Sequence, residues 1–429
     1  MQGRSFGIAV AVTLFWSLPS PALQPLDVFV ASARERNPDA LEAKAGLSQQ
    51  NAQSDVALGR VLPGISARGA YTRNQYGTTV DLGSGPITVV PDHQWDGSAT
   101  VTVPLIDAAG WARVAAAKTT ADAAGFQLAS ARLQVEAQVA QNYYQLIADF
   151  ALVAVSGTAL EVSKESLRLA QNRLAAGVAP ALEVDRARAD VEQQTQQLAA
   201  ALLQLSLAAR ALESNSGVFP DLSVPAPLAD DLHNEPALAS FESELNRLPA
   251  VVAASGSTRA AEQDAGAQRF ALLPSVAGTF SERGTTAPGF SGHDWTWQAA
   301  INFAWSFDLT SIASIRSQDA GADVARAREL RVRLAARDAI HRQWETVAAS
   351  IARSRSARAG RVAAAHAAQQ AHDRYQVGTI TQLDLLQAQR DAFAAEVARI
   401  QADADLVNAR AQLRLAAGKS LLERNEGIQ

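Results

Sequence analysis

The chain is written twice. Asn37-Pro38 recurs as Leu248-Pro249, and Leu62-Pro63 as Leu273-Pro274, both 211 positions on. Further along, Asp107 matches Asp308, Gly177 matches Gly378, Leu182 matches Leu383 and Gly217 matches Gly418, all 201 positions on. The difference of ten places an insertion in the first copy between Pro63 and Asp107, in a Gly/Pro/Thr-rich loop from Tyr76 to Pro91. Solenoid repeats are shorter and more numerous, so one duplication of about 200 residues predicts two pseudo-symmetric halves rather than a stacked array.

Each half reads helix, strand, strand, long helix, turn, helix. The first repeat covers 23–217, with a helix over 26–60, a β-hairpin over 66–104 and a long helical hairpin over 108–213. The second covers 237–418, with a helix over 237–272, a β-hairpin over 275–307 and a helical hairpin over 310–416. A proline-rich linker, 218–236, joins the copies, and a short tail, 419–429, follows. Gly177-Val178-Ala179-Pro180 breaks the first long helix, Gly placed as a C-cap and Pro as the first residue of the next helix. The expected fold class is mainly α with a small β part.

The helices have the composition of close-packed coils. Alanine supplies 90 of 429 residues, which is poor material for a bulky core but lets helices approach. Val139, Leu146, Val153, Leu160, Leu167 and Leu174 are spaced by seven, as are Val184, Val191, Leu198, Leu205 and Leu212. That repeat predicts left-handed supercoiling. The second copy repeats it more weakly through Ile340, Val347, Leu385, Leu406 and Leu413.

The strands have two unlike faces. From Trp295 the odd positions read Trp295, Trp297, Ala299, Ile301, Phe303, Trp305 and Phe307, against polar or small even positions. The first copy repeats this with Trp95, Gly97, Ala99, Val101 and Val103. Such alternation also occurs in a half-buried strand of a soluble sheet. Aromatics crowded on one face, near the strand ends, favour a transmembrane β-strand and lipid-interface roles for Trp95, Trp295, Trp297, Trp305 and Phe307. Four strands cannot close a barrel, and open edges are not tolerated in lipid. The chain is therefore expected to oligomerise, a dimer giving eight strands and a trimer twelve.

The N-terminus reads as an export signal over residues 1–22. Arg4 precedes an 11-residue apolar or small run, Phe6 to Trp16, too short for a bilayer-spanning helix, and Ser20-Pro21-Ala22 offers small residues for cleavage. Zero cysteines remove disulfides, thiolate sites and an N-terminal lipid anchor. A formal net charge of −5 makes nucleic acid an unexpected partner.

In this order, twice, these landmarks resemble the TolC-type outer-membrane efflux family. Its most specific stretch is Arg374-Tyr375-Gln376-Val377-Gly378 through Asp384-Leu385-Leu386-Gln387-Ala388-Gln389, similar to the family's RYxxGxxxxxDVLxAQ. The resemblance implies a homotrimer with a 12-stranded outer-membrane barrel continuous with a coiled-coil periplasmic tunnel. It implies partners too: a periplasmic adaptor, an inner-membrane transporter and outer-membrane lipid. The hairpin tips Gly177, Val178, Ala179, Gly378, Thr379 and Ile380 would face the adaptor. Asp384 matches the first acidic position of the family's entrance constriction. The second falls on Gln387, so the resemblance implies an entrance constriction at Asp384 and Gln387 whose second position departs from the family's acidic pattern. Thr381-x-x-Asp384 is equally a capping box.

No catalytic residue, cofactor or metal site is expected. The six histidines form no i,i+3 or i,i+4 pair, and neither HExxH, GxSxG nor a phosphate loop occurs. The expected function is a passive exit duct of a tripartite efflux or type I secretion system. The alternative is a periplasmic coiled-coil adaptor or scaffold without a pore.

Overall fold

Prolines without an amide hydrogen punctuate the first helices of both copies. A computed structural model describes residues 23–81, 83, 85–223, 228 and 230–422. The expected signal peptide and the tail from 423 lie outside the described residues. In the first copy the elements are α1 (Leu26–Arg36), α2 (Pro38–Gly59), β1 (Gly64–Arg73), β2 (Thr78–Asp81), β3 (Pro86–Val90), β4 (His93–Ile106), α3 (Ala108–Ala175) and α4 (Ala181–Ser216). In the second they are α5 (Leu238–Glu242), α6 (Pro249–Phe270), β5 (Ser275–Thr285), β6 (Trp295–Ala304), α7 (Leu309–Gln376) and α8 (Gln382–Ala416).

The single helix expected over 26–60 is two. Asn37 caps α2, its side chain accepting from the Asp39 amide at 2.9 Å, and Pro38 opens it. The helix expected over 237–272 is likewise broken, and Pro249 opens its main segment. Part of the inserted loop pairs as a small ribbon, β2 with β3, where only a loop was expected. Both long helices have 68 residues.

The chain divides into two compact units, each drawing segments from both copies. One comprises Val30–Ala140, His233–Ala352 and Asn408–Gln429 and contains the sheet. Its helices pack through small residues: a Cβ added at Gly256 in α6 would lie 2.9 Å from the Ala123 methyl in α3. Glu136, fully buried, is satisfied by Arg34 Nε at 2.7 Å, Ser420 Oγ at 3.1 Å and the Leu421 amide at 3.0 Å. A buried carboxylate persists only with such donors.

The other unit comprises Met1–Phe29, Gln141–Leu232 and Arg353–Val407. The leucine row of the heptads is only half its seam. Three residues along, Ser156, Ser163 and Ala170 in α3 and Ala187, Gln194 and Ala201 in α4 are buried. All but Gln194 are small, and small side chains let helix backbones approach closely. Asp403, also buried, accepts from Ser354 Oγ at 2.6 Å, Arg358 Nε at 2.9 Å and Arg399 Nη1 at 2.9 Å.

Candidate functional site: a tied set of helix ends and a two-faced sheet

Four helix ends meet in the second unit, and side chains tie them together. The two hairpin turns close identically. Gly177 (φ 74°) donates to Leu174 O at 2.9 Å, and Val178 N to Arg173 O at 3.0 Å. Gly378 (φ 78°) donates to Tyr375 O at 3.0 Å, and Thr379 N to Arg374 O at 3.0 Å. This is the Schellman closure, which places a left-handed residue just past the helix. Pro180 stands one position earlier than expected, as the cap before α4 rather than its first residue.

Of the expected tip residues, Val178 and Thr379 are exposed and Ile380 is half-buried. Ala179 departs from the expectation of an outward-facing tip residue. The reversal at Gly177 turns its methyl inward, and it is buried.

Across the tips, the buried Tyr375 at the end of α7 donates its hydroxyl to Glu183 Oε2 in α4 at 2.8 Å. Arg173, at the end of α3, donates to the Tyr375 carbonyl at 2.7 Å, its guanidinium 4.6 Å from the ring centroid. Gln382, opening α8, donates to the Glu183 carbonyl at 2.6 Å. One side chain from each helix end therefore joins the first-copy hairpin to the second. Burial, then the Glu183 bond, pushes the Tyr375 hydroxyl up to about 12. In the sequence Tyr375 is one letter of the RYxxG stretch and Glu183 carries no mark; their pairing over 192 positions has no local signal.

Asp384 forms the expected capping box. Its Oδ2 accepts from Thr381 Oγ1 at 2.7 Å and from the Thr381 amide at 3.1 Å, and Thr381 Oγ1 accepts from the Asp384 amide at 3.3 Å. The Thr381 bonds hold the Asp384 carboxyl below its ordinary value. Asp384 is exposed, as is Gln387, which donates to Asp391 at 2.8 Å.

Farther along these helices lies a cavity of about 590 Å³, lined by Val155, Val162, Phe393, Asp190, Gln194 and Arg390 among others. Asp190 accepts from Arg390 Nε at 3.1 Å and Nη2 at 3.0 Å.

In the first unit, β1, β4, β5 and β6 form an antiparallel sheet in that order, β1 and β6 at its edges. The register sorts the residues onto two faces. Tyr71 pairs with Trp95, Gly284 with Trp295, Glu282 with Trp297, and Val276 with Phe303. With Ile65, Val101, Phe280 and Ile301 these make an apolar face, exposed apart from the half-buried Val101, Val276 and Gly284. Glu282, near the loop end, and Arg73 and His93 at the strand ends are its charged or titratable exceptions. The Trp295 ring lies over Gly284, where an added Cβ would approach within 3.1 Å. The opposite face carries Thr, Ser, Gln and Asn, with Arg283 paired to Asp96 at 3.1 Å.

Trp305 and Phe307 are exposed and lie beyond β6, which ends at Ala304 rather than at 307. The last pair is Ser275 with Ala304, and the preceding Pro274 has no amide hydrogen to extend the ladder. The Trp305 indole instead donates to Leu272 O at 3.2 Å.

A duplicated pair of very long helical hairpins with a small, aromatic-faced antiparallel sheet is the architecture of outer-membrane channel subunits. Residues 29–218 and 241–419 match the family described as "Outer membrane efflux protein", and the chain belongs to that family. It is 29% identical over 298 residues to the probable efflux pump outer membrane protein TtgC of Pseudomonas putida, covering 66% of this chain and 59% of that one. The chain thus spans less than two thirds of the length of such relatives. It shares its fold with the Campylobacter jejuni CmeC outer membrane channel (TM-score 0.78, 17% identity, 97% of this chain and 94% of that one). A second match in fold is the Neisseria gonorrhoeae MtrE outer membrane channel in its open state (TM-score 0.75, 19% identity, 93% and 90%).

Proposed function

We propose that three copies of this chain form an exit duct through the outer membrane, carrying substrates delivered by an inner-membrane pump through a periplasmic adaptor. The observation that carries this reading is the sheet: one face aromatic and exposed, the other polar, both edges unpaired among the described residues. In lipid such edges must pair with another copy. Three copies of a four-stranded sheet give twelve strands, an even number within the range of outer-membrane barrels. The apolar face then meets lipid, the polar face lines the lumen, and the long helices extend as a periplasmic coiled coil.

The duct has no chemistry of its own. Its regulation lies at the helix ends, where Tyr375, Arg173, Glu183 and Gln382 hold the two hairpins of one chain together. Opening requires these ends to separate. Three Asp384 carboxylates, ionised because Thr381 stabilises the charge, would ring the entrance and favour cations there. Exposed Val178 and Thr379 would meet the adaptor.

The test is extraction and reconstitution. The chain should fractionate with the outer membrane, migrate as a heat-modifiable trimer and produce discrete conductance steps in planar bilayers. A soluble monomer would end this reading and return the adaptor alternative.

A further inference from the structure

The polar face of the sheet carries only three charged residues within its paired stretch, and two of them share one row. Arg68 on β1 lies opposite Ser98 on β4, and Ser98 lies opposite Arg283 on β5. Residues directly opposite point to the same face, and neighbouring strands are about 4.8 Å apart, so the two arginines sit roughly 10 Å from one another. Asp96, two positions along β4, is the third charge, and it pairs with Arg283 at 3.1 Å. Arg68 is exposed and forms no ion pair among the described residues. The face therefore carries two positive charges and one negative, with the unmatched guanidinium on Arg68.

From this row we infer that Arg68 and Arg283 form an arginine belt in the barrel lumen that selects for anionic cargo, opposite in sign to the Asp384 ring. The inference rests on the proposed trimeric channel, in which the polar face lines the lumen. Three copies place six guanidiniums in one row, with three carboxylates two residues along the strands from it. Arg283 and Asp96 largely cancel, which leaves three Arg68 guanidiniums directed into a narrow aqueous space. Rings of Arg or Lys favour anions in pores, and lumen-facing substitutions tune selectivity without disturbing the lipid contact. The guanidinium fork matches carboxylate and phosphate oxygens in geometry as well as charge. Carboxylate- or phosphate-bearing molecules are the class this belt would draw through the exit.

The test is the zero-current potential of the reconstituted protein in a KCl gradient, kept below about 0.1 M so that screening does not hide fixed charge. It is measured for the wild-type chain and for Asp384→Asn, which removes the entrance charge. In both backgrounds Arg68→Gln is expected to lower the anion-to-cation permeability ratio by about twofold or more, from the loss of three lumen charges of order kT each. Arg68→Lys keeps the charge and should keep the ratio. Arg68→Gln leaves the Arg283–Asp96 pair intact, and unchanged heat-modifiable migration reports an intact barrel. Conductance steps with an unshifted potential in Arg68→Gln and in the Arg68→Gln/Arg283→Gln double variant would overturn the belt alone. Absence of any conductance from the wild-type trimer would overturn the channel reading, and the belt with it.

Discussion

The Tyr375 hydroxyl donates a 2.8 Å hydrogen bond to Glu183, joining the last turn of one copy's long helix to the first turn of the other copy's short one. Tyr375→Phe removes the donor and keeps the ring, so Arg173 can still stack on it. A hydrogen bond to a charged group contributes about 1.5–3 kcal/mol, so the open probability in bilayers should rise by about tenfold or more. The pH dependence has a definite sign. Tyr375 is raised from 10.0 to about 12, so its contribution is complete below pH 10.0 and is lost as pH rises through about 12. Wild-type channels should open across that window, and Tyr375→Phe channels should show no such step.

The two turns predict a backbone effect that does not depend on contacts. Nothing lies within 4 Å of a Cβ built on Gly177 (φ +74°) or Gly378 (φ +78°), so alanine there meets open space. The cost is the left-handed backbone alone, about 1–2 kcal/mol per site. Gly378→Ala should lower the melting temperature by a few degrees, and Gly378→Asn by less, since asparagine tolerates this region. Equal melting of Ala and Asn variants in calorimetry would contradict the φ argument.

Helix lengths and strand alternation are legible because each is written in local periodicity, and the duplication because its landmarks return at fixed offsets of 201 and 211. The ends of α3, α7 and α8 fall within a residue or two of the expected positions, whereas α4 runs three residues past 213, to Ser216; Gly177, Gly217, Gly378 and Gly418 all take positive φ as helix-ending residues do. The heptad leucines were visible, but the buried Ser156, Ser163 and Ala170 row was not. Serine and alanine on a helix carry no signal of burial until a second helix lies against them. Asn37 and Pro38 were read as a repeat landmark, although as a cap and first helical residue they divide α1 from α2. Tyr375–Glu183, Arg34–Glu136 and Arg390–Asp190 join residues 192, 102 and 200 positions apart, where spacing is silent.

Asp384 combines a cap with an exposed charge, and the two roles separate by pH. Its Thr381 bonds lower its pKa from 3.8, so its contribution to folding is present above pH 3.8 and is lost as pH falls through the lower folded value. Asp384→Asn should keep part of the capping box, because an amide oxygen at this third helical position can still accept from the Thr381 amide, while abolishing the charge. The expected outcome is near-native melting at pH 7 together with weaker cation preference. Asp384→Ala should lose both. If the Asn variant retains full cation preference, the carboxylate does not set selectivity at the entrance.

Asp149 is buried and makes one hydrogen bond among the described residues, from Gln145 Nε2 at 3.0 Å. Burial raises its pKa above 3.8, and the Gln145 bond only partly offsets this. The ionised form is therefore disfavoured in the fold. The penalty is absent below pH 3.8 and complete once pH exceeds the raised value. Asp149→Asn should melt higher than the wild-type protein at pH 7, and the difference should vanish as pH drops below about 4. A variant that melts lower at pH 7 would show that the carboxylate is paired in the assembled protein.

The two faces of β6 give the sharpest contrast. Ile301 and Asn302 are adjacent near the middle of the strand, one on the apolar face opposite Gly278, the other on the polar face opposite Ala277. An arginine on the lipid face near the bilayer midplane costs about 2–4 kcal/mol, whereas an arginine in an aqueous lumen costs little. Ile301→Arg should therefore deplete folded, heat-modifiable trimer from the outer membrane, roughly in proportion to that penalty in each of three copies. Asn302→Arg should assemble normally, although it removes a 3.0 Å hydrogen bond to Thr279 and adds charge to the lumen. Quantitative blotting of heated and unheated membrane fractions separates the outcomes. Equal assembly of the two variants would mean that the aromatic face of the sheet does not meet lipid.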